Sequence, residues 1–99
     1  MVTIIFRSQL RNEGDEEFHA LAARMLELAR GMPGFVTYKV FVAEDGERCS
    51  LIEFETAEDL RAWREHPEHR EAQRLGRERF YDAYVLQVSD SGRESRFSR

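Results

Sequence analysis

Apolar and polar residues alternate at the start of the chain and then change period. Over residues 2–11, Val2, Ile4, Phe6 and Leu10 fall on one side, and Thr3, Ile5, Arg7, Gln9 and Arg11 on the other. Period two with β-branched residues predicts a strand. Asn12-Glu13-Gly14 interrupts it. Asp15 is placed to cap a helix whose first turn carries Glu16 and Glu17, where the helix dipole favours anions. Phe18, Leu21, Ala22, Met25, Leu28 and Ala29 then recur three and four apart, the apolar stripe of an amphipathic helix. Gly31 suits its C-terminal cap, and Pro33 cannot continue it. Residues 35–44 and 48–55 are strand-like and flank Asp45-Gly46, which predicts a hairpin with both turn positions at positive φ. Thr56-Ala-Glu-Asp59 is a capping-box pattern opening a second helix. That helix turns Leu60 and Trp63 inward, must kink or restart at Pro67, and resumes through Ala72, Leu75 and Phe80. Residues 83–89 alternate again as a last strand.

The order β-α-β-β-α-β predicts an α+β, ferredoxin-like domain over residues 1–90. Its four-stranded antiparallel sheet carries two helices on one face. Residues 91–99, rich in Ser and Arg, read as a flexible C-terminal tail. The strand faces Val2/Ile4/Phe6, Val36/Tyr38/Val40/Val42, Ile52/Phe54 and Tyr84/Leu86/Val88 are expected under the helices. The opposite face holds Ile5, Phe35, Phe41, Leu51 and Val85 among Arg7, Lys39, Glu53 and Gln87. That face is too apolar to stand bare in water and too charged for a continuous core. A two-fold partner covering it resolves both problems, so a homodimer built sheet to sheet is expected.

Composition narrows the function classes. The chain has 99 residues, 41% hydrophobic and 34% charged, with a formal net charge of −4. It is of single-domain size, and its acidity disfavours a nucleic-acid-binding face. Its single cysteine, Cys49, allows no internal disulfide and no Cys-rich zinc cluster. The apolar run over residues 2–6 is too short for a signal sequence or a membrane span, so a cytoplasmic protein without membrane attachment is expected.

Three stretches carry a resemblance: Met32-Pro-Gly-Phe-Val-Thr-Tyr38 after the first helix, Leu51-Ile-Glu-Phe-Glu-Thr-Ala-Glu-Asp-Leu-Arg-Ala-Trp63, and its continuation Arg-Glu-His-Pro-Glu-His69-Arg-Glu-Ala-Gln73. In this order they resemble the antibiotic biosynthesis monooxygenase family of dimeric α+β barrels. The resemblance implies a cofactor-independent monooxygenase that oxidises a small aromatic hydroquinone or anthrone-like compound with O2. Such chemistry needs a stabilised substrate anion, a group that handles a proton, and a dry cavity. The cavity is expected between the sheet and the second helix, bounded by Phe6, Tyr38, Phe54, Trp63 and Tyr84. His66 or His69 would handle the proton, and Arg7 or Tyr38 would hold the substrate oxygen.

Another branch of the family binds or degrades haem, using an Asn on the first strand, a Trp on the second helix and a His ten residues after that Trp. Trp63 matches. Gln73 stands at the imidazole position and is counted here with the substrate-binding residues, while Arg7 aligns best with the Asn. Haem is therefore the alternative cofactor, and a non-catalytic small-molecule-binding dimer is the third reading. His66 and His69 are three residues apart, but Pro67 lies between them and no acidic ligand motif completes a set, so no metal site is expected. The plain alternative for a histidine here is a cap on the helix that restarts at Pro67. The remaining charges of residues 57–80, six acids and six arginines, read as a solvated helix face.

Overall fold

The structure, a computed structural model, describes residues 1–90 and 94–99. Four strands, β1 (Val2–Leu10), β2 (Phe35–Val42), β3 (Arg48–Phe54) and β4 (Tyr81–Asp90), form one antiparallel sheet in the order β2-β3-β1-β4. Helices α1 (Glu16–Arg30), α2 (Ala57–Glu65) and α3 (Pro67–Leu75) complete the ferredoxin-like α+β fold, followed by a π-helical turn over Gly76–Phe80. Of the expected tail, residues 91–93 lie outside the described residues, and residues 94–99 contain no helix or strand.

The caps follow the local chemistry. Asp15 accepts from the Phe18 amide and Thr56 from the Asp59 amide. Extended backbone at His66, which the following proline favours, separates α2 from α3. Pro67 opens α3, and the His66 ring accepts from the Glu68 amide at 3.1 Å. The hairpin differs from expectation. Gly46 has positive φ, but Asp45 does not; Gly46 N–H meets the Ala43 carbonyl and Ala43 N–H the Glu47 carbonyl. This is a three-residue loop, in which one left-handed glycine suffices.

Directly paired residues share a face, so the register sorts the side chains. Val2 faces Phe54, Ile4 faces Ile52 and Val88, and Phe6 faces Ser50 and Leu86. Met25 and Ala29 of α1 and Leu60 and Trp63 of α2 pack on Val2, Ile4, Ile52 and Phe54 to form the core. One assignment of face is corrected. The β2–β3 register shifts between Phe35 and Thr37, so Val36 is an extra bulged residue and Phe35 turns inward, 5.9 Å from the Phe54 ring. The outer face keeps Ile5, Arg7, Lys39, Phe41, Leu51, Glu53, Val85 and Gln87.

Candidate active site

A cavity of about 340 Å³ lies between the sheet and the helices. Its roof is broader than the second helix alone. Phe18, Leu21, Ala22 and Met25 come from α1, Trp63 and Arg64 from α2, His69 and Gln73 from α3, and Gly76 and Phe80 from the π-helical turn. The floor includes Phe6, Tyr38, Arg48, Ser50 and Tyr84, with Tyr81 at the start of β4.

Trp63 is 2% exposed and donates its indole N–H to the Met25 carbonyl at 3.3 Å, which fixes it as a wall. It stands edge-on to Tyr38 and 4.3 Å from the His69 ring. Gln73 Nε2 lies 3.2 Å from the Arg64 carbonyl and 2.8 Å from His69 Nδ1. A carbonyl can only accept, so the amide end there is nitrogen, and it donates to His69 Nδ1 as well. The single proton of the neutral imidazole is then on Nε2. Burial first, and the Arg64 charge second, lower the His69 pKa to about 4, so the ring is neutral at physiological pH.

The phenols are perturbed in the other direction. Burial raises the Tyr38 pKa, opposed by a hydrogen bond from Ser50 and by the charge of Arg48. Tyr81 is pushed up to about 12, chiefly by burial and next by Tyr38. Both are protonated donors at neutral pH. Phe6 contacts Tyr81 and Tyr84, and those two rings contact each other at 5.8 Å.

Of the residues expected from sequence, Phe6, Tyr38, Trp63, His69, Gln73 and Tyr84 line this cavity. Phe54, fully buried, packs behind Trp63 instead. His66 is engaged as the α3 cap. Arg7 projects from the opposite face, with both carboxylate oxygens of Glu47 at 3.1 Å. The sequence reading missed Arg48 and Tyr81. Arg48 shares strand parity with Ile52 and Phe54, a signal present in the sequence. Tyr81 reaches the cavity side through a register shift between Gln9 and Leu10, leaving Asp82 as the extra residue, and alternation alone does not reveal that.

Gln73 stands where the haem-degrading branch needs an imidazole, with its amide engaged by His69 and Arg64, and Arg7 faces away. Of the three residues carried over for haem, Trp63 and Gln73 line the cavity and Arg7 does not. Among the described residues, no group of three or more His, Cys, Asp or Glu side chains is placed to hold a metal ion, and no helix is long and apolar enough to cross a membrane.

Comparison with known proteins agrees with this architecture. The uncharacterized protein YqjZ of Bacillus subtilis (strain 168) is 30% identical over 94 residues, covering 95% of this chain and 82% of that one. Among solved structures, Rv0793 from Mycobacterium tuberculosis superposes with a TM-score of 0.81 at 20% identity, covering 96% of this chain and 98% of the other. SnoaB from Streptomyces nogalater, described as a cofactor-independent oxygenase, superposes with a TM-score of 0.78 at 16% identity, covering 94% of each chain. At those identities the two structures speak to the fold alone. The family model for antibiotic biosynthesis monooxygenase matches residues 1–75, and the chain belongs to that family.

Proposed function

We propose that the protein is a cofactor-independent monooxygenase that oxidises a small electron-rich aromatic compound, a hydroquinone or an anthrone, with O2, and that it works as a homodimer. The observation that carries this reading is the pairing of a cavity walled in part by Phe6, Tyr38, Trp63, Tyr81 and Tyr84 with a neutral, tautomer-fixed His69.

The chemistry divides between substrate and protein. An anthrone that loses its proton becomes an enolate rich enough in electrons to pass one to O2, and the radical pair then combines to a peroxide at the ring carbon. Loss of water leaves a carbonyl: a methylene and O2 become C=O and H2O. His69 Nε2–H and the Tyr38 hydroxyl act as donors to the developing oxyanion, where preorganised donors are most effective. A ring with a pKa of about 4 is a poor base at pH 7, so the role given to His69 is donation, and the substrate proton passes to water at the cavity mouth. Trp63 and Phe6 exclude solvent while the radicals recombine.

The dimer is proposed through the outer face of the sheet. Ile5 (36% exposed), Phe41 (54%) and Val85 (52%) supply its apolar area, and Lys39 and Glu53 its charges.

The test is an oxygen electrode with a panel of anthrones and naphthohydroquinones. Uptake of one O2 per substrate, with no O2 returned by catalase, is expected. Trp63→Phe and His69→Phe should each lower kcat/KM at least tenfold, about 1.4 kcal/mol of transition-state stabilisation. Absence of uptake while the compounds still bind would overturn the enzyme and leave a small-molecule-binding protein.

A further inference from the structure

The charge on the cavity wall runs against the charge of the chain. The sequence carries 19 Asp and Glu against 15 Lys and Arg. The cavity, however, is lined by Arg48, Arg64 and Arg77 with no Asp or Glu among its lining residues. Exterior arginines such as Arg7, Arg24 and Arg74 each hold a carboxylate. Among the described residues, Arg48 is in no ion pair; its guanidinium lies over the Phe18 ring, 5.2 Å from the centroid. It is half-buried, and its field reaches the phenols of Tyr38 and Tyr81. Arg48 lines the cavity, and among the described residues no side-chain nitrogen, its own included, is both buried and without a partner.

A second, open groove of about 680 Å³ adjoins the first through Arg64, Gln73 and Arg77, which line both. It adds Arg61 and Arg70, with Glu65 as its one acid. The wall shared by the cavity and the groove is thus cationic. Such an arrangement raises the local concentration of anions and their on-rate.

We propose that the substrate is a ring compound bearing a carboxylate, with Arg48 as its counter-ion and Arg64 and Arg77 as the cationic mouth through which it enters. This rests on reading the cavity as the substrate site and adds the substrate's chemical class. The planar fork of Arg48 matches a carboxylate in geometry and in charge. A phosphate dianion would bring a second negative charge into an apolar cavity that holds one inner guanidinium. With the carboxylate at Arg48, the rest of the ring is left to the aromatic wall and to the donors His69 and Tyr38.

The experiment compares 3-hydroxy-2-naphthoate with 2-naphthol by isothermal titration calorimetry at pH 7. The pair differs by the carboxylate, and no turnover is involved. The naphthoate is expected to bind at least tenfold more tightly, and its affinity to fall between about 0.05 and about 0.5 M NaCl while that of 2-naphthol does not. Arg48→Gln should shrink the preference to within about threefold, and Arg48→Lys should retain part of it. Equal binding of the two compounds, no binding of the naphthoate at millimolar concentration, or an unchanged preference in a folded Arg48→Gln variant would overturn the proposal. Should Arg48→Gln not fold, the wild-type preference and its salt dependence decide the matter. Carboxylate preference without oxygen uptake on any substrate would sink the monooxygenase and leave this inference standing. Uptake that is equally efficient with neutral and carboxylated quinols would do the reverse.

Discussion

Gln73 touches no reacting atom in the proposed scheme, yet it decides which nitrogen of His69 carries the proton. The consequence reaches stability as well as chemistry. The folded pKa of His69 is about 4, below the ordinary 6.5, so over that window the unfolded chain binds more protons than the folded one. Stability therefore rises with pH across the window, and this contribution is lost as pH falls from about 6.5 towards 4. Urea unfolding at fixed protein concentration should show the loss, on the order of 3 kcal/mol. His69→Gln should flatten the pH dependence by about one proton; an unchanged slope would show that the imidazole is not held neutral. The sequence could not choose between His66 and His69, because a three-residue spacing interrupted by Pro67 does not define a common face. The choice is made by Pro67 opening a new helix, which leaves one ring as its cap and the other against Trp63. Arg7 and Arg48 show the reverse. Parity from Ile4 and Phe6 already put Arg7 outside, and parity from Ile52 put Arg48 inside.

At the scale of elements, alternation and helical period located all four strands and the stripe of α1, because those patterns follow directly from burying one face. The irregular steps were not legible, and they shape the site. Two single-residue bulges, at Val36 and Asp82, turn Phe35 into the core and Tyr81 towards the cavity. The apolar positions after Pro67 suggest one continuing helix through Phe80, yet the chain widens into a π-helical turn at Gly76. A Cβ at Gly76 would lie 2.7 Å from Tyr81 Cε2, so this glycine is what lets the Tyr81 ring close over the turn. Gly76→Ala should cost about 1–3 kcal/mol in urea unfolding, since the ring and the turn are forced apart. In a Tyr81→Leu background the same substitution should cost less than about 1 kcal/mol, because the obstructing ring is gone. Equal costs in both backgrounds would mean that Tyr81 is not the obstacle.

At the scale of the molecule, the sheet has one face occupied by helices and, among the described residues, one face without any. The outer apolar residues argue for a second copy there. Light scattering at tens of micromolar should give twice the chain mass of 11.7 kDa. Phe41→Glu, which puts a charge at a 54% exposed apolar position of that face, should bring the mass to that of one chain. A wild-type mass of 11.7 kDa would end the dimer. The chain also has a single tryptophan, and it stands in the cavity wall. All indole emission of the protein therefore originates at that wall, shielded from water, with the Tyr38 phenol and the His69 imidazole as immediate neighbours. The protein thus carries an internal optical gauge of its own cavity. An aromatic compound bound beside Trp63 should change the light the whole molecule emits, and its release should restore that light, with no label attached.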